Sequence, residues 1–281
     1  MANLDTDSGG KGLKPWAVGI AAIGLIIVVI AVVVALVTSN SSDDKDSATP
    51  EPATSPSLLE EEPLSDVDAS DKGWNAAIAD SFGREVKVPA NGVGNALGKA
   101  KNIPETQCDV KSGAAVTIQR TSGTQTIWSN DLGPSEVTAG GAPVGYARSA
   151  EAAMMSASND LVLLYSGGTI SADIARHGLS VPDQDSLVEE LENSTVKDTT
   201  LEDRPAPSAF RITSCEDTRV IGDVAIPLPT DEEGNPTSSN WAVLRMSSVW
   251  KDGDWKTELG MVPQPVEDRV TDLEGWTQWQ Y

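Results

Sequence analysis

The sequence predicts an α+β domain, on three observations. Ala150, Ala153, Met154, Ala157, Leu161 and Leu164 recur at helical spacing behind Ser149. Two β-like runs at 241–250 and 255–262 flank Asp252-Gly253, a favoured two-residue hairpin turn. Further β-like runs lie on both sides of the helix, at 115–119, 124–128, 208–216 and 219–228.

Taken in order, the chain begins with a predicted cytoplasmic tail over residues 1–15. From Trp16 to Val37, 22 consecutive residues carry no charge, and a helix of that length spans roughly 33 Å, enough for a bilayer core. A transmembrane helix is therefore expected over 16–38, contacting membrane lipid. The competing reading is a signal peptide cleaved near Val37-Thr38-Ser39, although the run exceeds the usual apolar core of about 7–15 residues. Lys11 and Lys14 precede the span, while Asp43, Asp44 and Asp46 surround Lys45 after it. That bias places the N-terminus in the cytoplasm and the rest of the chain outside the cell membrane, as a single-pass protein.

Residues 39–72 hold ten acidic side chains, two lysines and many Ser, Thr and Pro. So little apolar surface cannot offset the entropy of ordering, and a disordered tether is expected. Leu58-Leu59 followed by Glu60-Glu61-Glu62 reads either as a short docking motif or as a solvated charge run.

One core is expected over 73–281, in two parts: an irregular, β-rich stretch at 73–140 and an α+β unit at 141–281. In the first, Ser122-Gly123 separates the runs 115–119 and 124–128. In the second, Ser149 caps the helix, Glu151 complements its dipole and Gly167-Gly168 ends it. Shorter helices are expected at 170–177 and 185–193, the latter opened by Ser186 with Glu189 three residues on. If Asp252-Gly253 is the hairpin turn, Trp250 faces Trp255, Ser248 faces Thr257, Met246 faces Leu259 and Leu244 faces Met261 on one apolar face. Lys251 opposite Asp254 and Ser247 opposite Glu258 then form the polar face.

Composition removes several functions. The formal net charge of −22 opposes non-specific attraction to nucleic acid or anionic lipid, so no nucleic acid contact is expected of the folded part. One histidine and two cysteines cannot build a Cys₄ or Cys₂His₂ zinc site or a cysteine-ligated cluster. Gly92-Val-Gly94-Asn-Ala-Leu-Gly98 has the wrong spacing for a dinucleotide loop, no phosphate-binding GxxxxGK[ST] occurs, and no GxSxG elbow occurs. Asp231-Glu-Glu-Gly-Asn235 is calcium-like in composition but lacks the spacing of a calcium loop, and reads as a polar turn. His177 precedes Gly178 at a helix end, where an imidazole meets free carbonyls. No spacing singles out a carboxylate pair for acid–base work. No enzyme activity, metal or cofactor is expected.

Two residue sets remain. Cys108 and Cys215 are the only thiols and lie in the exported part, which favours a disulfide; two buried free thiols are the alternative. Trp276 and Trp279 are candidates for partner binding, against the alternative that Gly275-Trp-Thr-Gln-Trp279 folds back over a sheet edge.

On Pro143-Val-Gly-Tyr-Ala-Arg-Ser149, the Trp250-Lys-Asp-Gly-Asp-Trp-Lys256 hairpin and Leu273-Glu-Gly-Trp276 with Trp279, the chain resembles the extracytoplasmic domains of actinobacterial single-pass membrane proteins of unknown function. The resemblance covers about 140 residues. Such domains look like distant members of the NTF2-like class, in which a bent antiparallel sheet wraps around helices. Several are similar in layout to bitopic assembly proteins of conjugative and type IV secretion machinery. The resemblance implies an envelope scaffold with a protein partner, and carries over no catalytic residue. The alternative is a small-ligand-binding or enzymatic NTF2-like domain.

Overall fold

The structure is a computed structural model that describes residues 72–194, 204–231, 233–259 and 269–281. The expected transmembrane span 16–38, and the tether up to residue 71, lie outside the described residues. Among the described residues no helix is long and apolar enough to cross a membrane.

The coarse class is α+β. Strands β1 (Ile78–Ala79), β2 (Glu85–Lys87), β3 (Thr117–Thr121) and β4 (Thr124–Trp128) form one sheet in that order. A small β5 (Glu136–Val137) and β6 (Pro143–Val144) pair leads to α1 (Ala150–Leu164) and α2 (Gly168–His177). After β7 (Leu179–Ser180) and α3 (Gln184–Glu192) come β8 (Ala209–Glu216), β9 (Arg219–Pro227), β10 (Trp241–Lys251), β11 (Asp254–Glu258) and β12 (Thr277–Gln278). The last five join β7 in a six-stranded sheet ordered β12-β8-β9-β10-β11-β7. The expected antiparallel sheet is thus mixed, because β7 pairs in parallel with β11, and β2 also pairs in parallel with β3. Both parallel partners are reached through longer connections, so no local turn dictates their direction.

Helix α1 sits between the two sheets, and its composition explains why. Every residue except Val162 is buried, and the run of Ala and Ser leaves room for strands on opposite sides. Ser149 is in extended conformation and its hydroxyl accepts the Ala152 N–H at 3.2 Å, as the capping argument requires. At Gly222 a Cβ would lie 2.6 Å from Met154 Sδ, so glycine permits the close approach of β9 to this helix. Val86, Ile118 and Ile127 from the first sheet share one apolar cluster with Met154, Phe210, Leu244 and Trp255. Residues 73–140 and 141–281 therefore bury their apolar side chains in a common core.

Two expected details are corrected. Helix α3 starts at Gln184, behind Asp183 at φ 54°, with no side-chain cap from Ser186. The reason lies in α2, whose final carbonyls at Ala175 and Arg176 accept the Gln184 carboxamide at 2.7 and 2.9 Å and fix the start of α3 there. The hairpin register holds for Ser248 with Thr257, Trp250 with Trp255 and Lys251 with Asp254. Beyond Glu258 the ladder ends: Leu259 packs against the second apolar cluster, which holds Leu163, Ile174 and Leu179, whereas Met246 stays in the main one. The expected Leu244–Met261 pair lies partly outside the described residues.

The two sheets are stitched together by residues 277–280. Thr277 and Gln278 pair with Phe210 and Ala209 of β8. On the other side, Gln280 N–H donates to the Ala114 carbonyl at 3.0 Å, and Val116 N–H donates to the Gln280 carbonyl at 2.8 Å. Gly113 makes room, since a Cβ there would lie 1.9 Å from the Gln278 carbonyl oxygen.

Candidate functional site

Two polar constellations stand out, one inside the fold and one on its surface. The inner one joins α1 to the hairpin. Asp160, 1% exposed, accepts the Thr257 hydroxyl at 2.7 Å on Oδ2, while its Oδ1 has no hydrogen-bond partner among the described residues. Asp254, 8% exposed, accepts the Gly145 and Tyr146 N–H groups at 2.7 and 3.0 Å. Its place opposite Lys251 predicted a solvent-facing carboxylate. The structure turns it inward because the loop before α1 offers those two backbone donors. Burial pushes both carboxyls above their ordinary range, and the neighbouring Asp160 and Asp254 charges reinforce the rise that burial causes in the Tyr146 phenol. Next to Asp254 in β11, Trp255 is 1% exposed and its indole N–H donates to the Ala147 carbonyl at 2.9 Å. Through these contacts the pair holds α1, the loop before it and the hairpin together.

The outer constellation lies on the face of the six-stranded sheet turned away from α1. Arg211 on β8, Asp223 on β9 and Arg245 on β10 stand side by side in register. Asp223 is fully buried under the two guanidinium groups. Its Oδ2 accepts Arg211 Nη2 at 2.9 Å and Arg245 Nη2 at 3.2 Å, and its Oδ1 accepts Arg245 Nε at 2.8 Å. Trp276 lies across Arg211, with the guanidinium carbon 4.6 Å from the ring centroid.

A bulge makes this row. The β8–β9 turn pairs Glu216 with Arg219 and Cys215 with Val220, a register that continued unbroken would place Ile212 opposite Asp223. Instead the ladder shifts between Ile212 and Ser214, bringing Arg211 opposite Asp223 and returning Ile212 to the core face. Sequence reading missed the row because it depends on this shift; the alternation of Val220, Val224 and Ile226 around Asp223 was the available signal for an acid on the outer face.

The residues singled out from sequence are dispersed. Cys108 and Cys215 form the expected disulfide, with Cα atoms 5.8 Å apart. Beside it, Asp217 accepts the Thr106 N–H at 2.9 Å and Arg148 Nη2 at 2.8 Å, so the 104–108 loop is held to the β8–β9 turn by more than the covalent bond. Trp276 belongs to the surface row. Trp279 does not: it is 4% exposed and packs on Phe210 with centroids 4.8 Å apart, which leaves it no free face for a partner. Its segment covers the β8 edge instead. Asp231 and Asn235 close a polar turn on each other, with Asn235 N–H donating to Asp231 Oδ1 at 2.7 Å. His177 ends α2, and its carbonyl accepts Lys256 Nζ from β11. Among the described residues no group of three or more His, Cys, Asp or Glu side chains is placed to hold a metal ion.

No curated protein and no solved structure matches this chain. A family model described as a domain of unknown function (DUF8175) matches residues 87–278, a span that takes in the Arg–Asp–Arg row, Trp276 and both cysteines but ends before Trp279. The chain therefore belongs to the DUF8175 family.

Proposed function

We propose that this chain is a membrane-anchored extracytoplasmic scaffold, a protein-interaction component of a cell-envelope assembly of the conjugative or secretion kind, with an NTF2-like domain as its folded part. The observation that carries the interaction role is the Arg211–Asp223–Arg245 row with Trp276 stacked on it, because partly exposed Arg and Trp held in fixed positions are the side chains that dominate protein interfaces. The Cys108–Cys215 disulfide supports exposure to an oxidising compartment. The uncharged run from Trp16 to Val37 supplies the anchor, and the acidic stretch after it lets the domain search near the membrane.

The alternative, a ligand-binding or enzymatic domain, draws on the buried Asp160 and Asp254 pair. That pair is engaged structurally, Asp160 with the Thr257 hydroxyl and Asp254 with the Gly145 and Tyr146 N–H groups, so the scaffold reading is preferred.

The test is complementation of a deletion strain at native abundance. Full-length protein restores function, whereas a secreted fragment lacking residues 1–71 restores little of it. Full restoration by the untethered fragment overturns the membrane-localised scaffold. Protease added to intact, wall-stripped cells checks topology: the C-terminal region should be digested, and its complete protection counts against exposure outside the membrane.

A further inference from the structure

Resting on the interaction reading above, we propose that the row formed by Arg211, Asp223 and Arg245, with Trp276 at its end, receives an acidic, partly apolar segment of a partner protein through its carboxylates. The first argument is charge. One guanidinium would neutralise Asp223; the second leaves the row with a net positive charge on a chain whose formal net charge is −22. An acidic partner is repelled by the protein as a whole and attracted here, which fixes its orientation.

The second argument is unspent hydrogen-bonding capacity. Arg211 Nε and Nη1 and Arg245 Nη1 make no hydrogen bond among the described residues. Their side chains are 38% and 43% exposed, so the free N–H edges are reachable from solvent. A planar guanidinium presents such edges to carboxylates in pairs.

The third argument is preorganisation. Asp223 holds both guanidinium groups from below, and Trp276 lies against the Arg211 plane. Little side-chain entropy is then lost on binding, and the half-buried indole offers apolar contact beside the two cations. Asp272 and Glu274 stand in the turn before Trp276, so the positive surface is short. It suits one or two carboxylates and disfavours a long polyanion such as nucleic acid.

The probe is a fluorescent peptide of alternating Glu and Leu, with a Gln-for-Glu peptide as control, titrated against the full-length chain in neutral-lipid nanodiscs. Saturable binding of the Glu peptide is expected, weakened about tenfold by Arg211→Gln or Arg245→Gln and by added salt. Trp276→Ala should also weaken it. Arg219→Gln, which removes a cation paired with Glu258 on the same sheet, should leave binding unchanged. Thermal unfolding of each variant verifies that it is folded. Absence of Glu-peptide binding, or equal binding by wild type and both row variants, overturns the proposal. So does about tenfold tighter binding after Glu60, Glu61 and Glu62 are all changed to Gln, which would make the chain's own acidic stretch the occupant. A sedimentation mass of two copies that Arg245→Gln reduces to one assigns the row to self-association and likewise overturns it. Peptide binding is read in vitro and complementation in cells, so loss of the first with the tether requirement intact removes the acidic-segment proposal alone.

Discussion

Asn159 completes the edge of β4 at Ile127: its Oδ1 accepts the Ile127 N–H and its Nδ2 donates to the Ile127 carbonyl, both at 2.9 Å. A side chain from the helix thus does what another strand would do. The same amide also donates to the Tyr146 hydroxyl at 3.0 Å. The next residue along the helix, Asp160, bonds Thr257 in the other sheet, so two adjacent polar residues tie α1 to both layers.

Replacing Asn159 with Leu should destabilise the domain by about 2–4 kcal/mol, because it leaves a buried N–H and C=O without partners. Tyr146→Phe removes one hydroxyl and should cost about 1 kcal/mol. Urea midpoints at constant m-value measure both, and equal effects would show that Asn159 does not close the strand edge.

The buried carboxyls set a pH dependence of definite sign. Burial raises Asp160, Asp254 and Glu151 above the ordinary carboxylate range. In that window the folded state holds more protons than the unfolded state, so stability falls as pH rises from the ordinary carboxylate range through the folded values. Each group contributes a slope of at most about 1.4 kcal/mol per pH unit. The domain should therefore unfold at higher urea in mildly acidic buffer than at neutral pH, and Asp160→Asn should flatten the difference. A wild-type midpoint that rises toward neutral pH would contradict this.

The disulfide closes a loop of 107 residues. Constraint of the unfolded chain by such a loop is worth about 4–5 kcal/mol, so Cys108→Ser with Cys215→Ser should lower stability by that order. Asp217→Ala should cost far less, since it removes the carboxylate contacts to Arg148 and the Thr106 N–H but keeps the bonds that both residues donate to the Asp217 carbonyl. Unfolding curves with and without reductant distinguish the two contributions.

The hairpin tryptophans are unequal in burial. Trp255 is 1% exposed, and Trp255→Ala should cost about 3–5 kcal/mol; Trp250 is half-buried, and Trp250→Ala should cost clearly less. Lys256→Ala removes the Nζ contact to the His177 carbonyl and should cost about 1 kcal/mol. Loss of the two-ring edge contact, at 5.3 Å between centroids, should change the near-UV circular dichroism in either tryptophan variant.

The legible parts of this fold were those written in local pattern. Ser149 and the small apolar residues behind it specify α1, and Asp252-Gly253 specifies the pairing of Trp250 with Trp255. Asn159 and Asp160 gave no such signal, since a polar residue inside a helix reads as solvent-facing until both sheets are in place. Asp254 was misplaced for a similar reason: alternation assigns its side, while the donors that capture it come from Gly145 and Tyr146, more than a hundred residues earlier. The surface row was hidden by a single bulged residue, because one extra position on β8 changes which side chain meets Asp223.

The stitch at residues 277–280 has a consequence for the order in which the molecule is made. During synthesis from the N-terminus, the 113–116 segment and β8 both emerge before the strand that bridges them. Asn159 and Asp160 on α1 already tie the two layers, but their backbone junction waits on a contact between positions more than 160 residues apart in the chain. Closure of that kind is slow and comes late. Until it occurs, the edge of β8 and the Phe210 ring stand open, and a nascent chain halted before Thr277 exposes that strand edge to its neighbours.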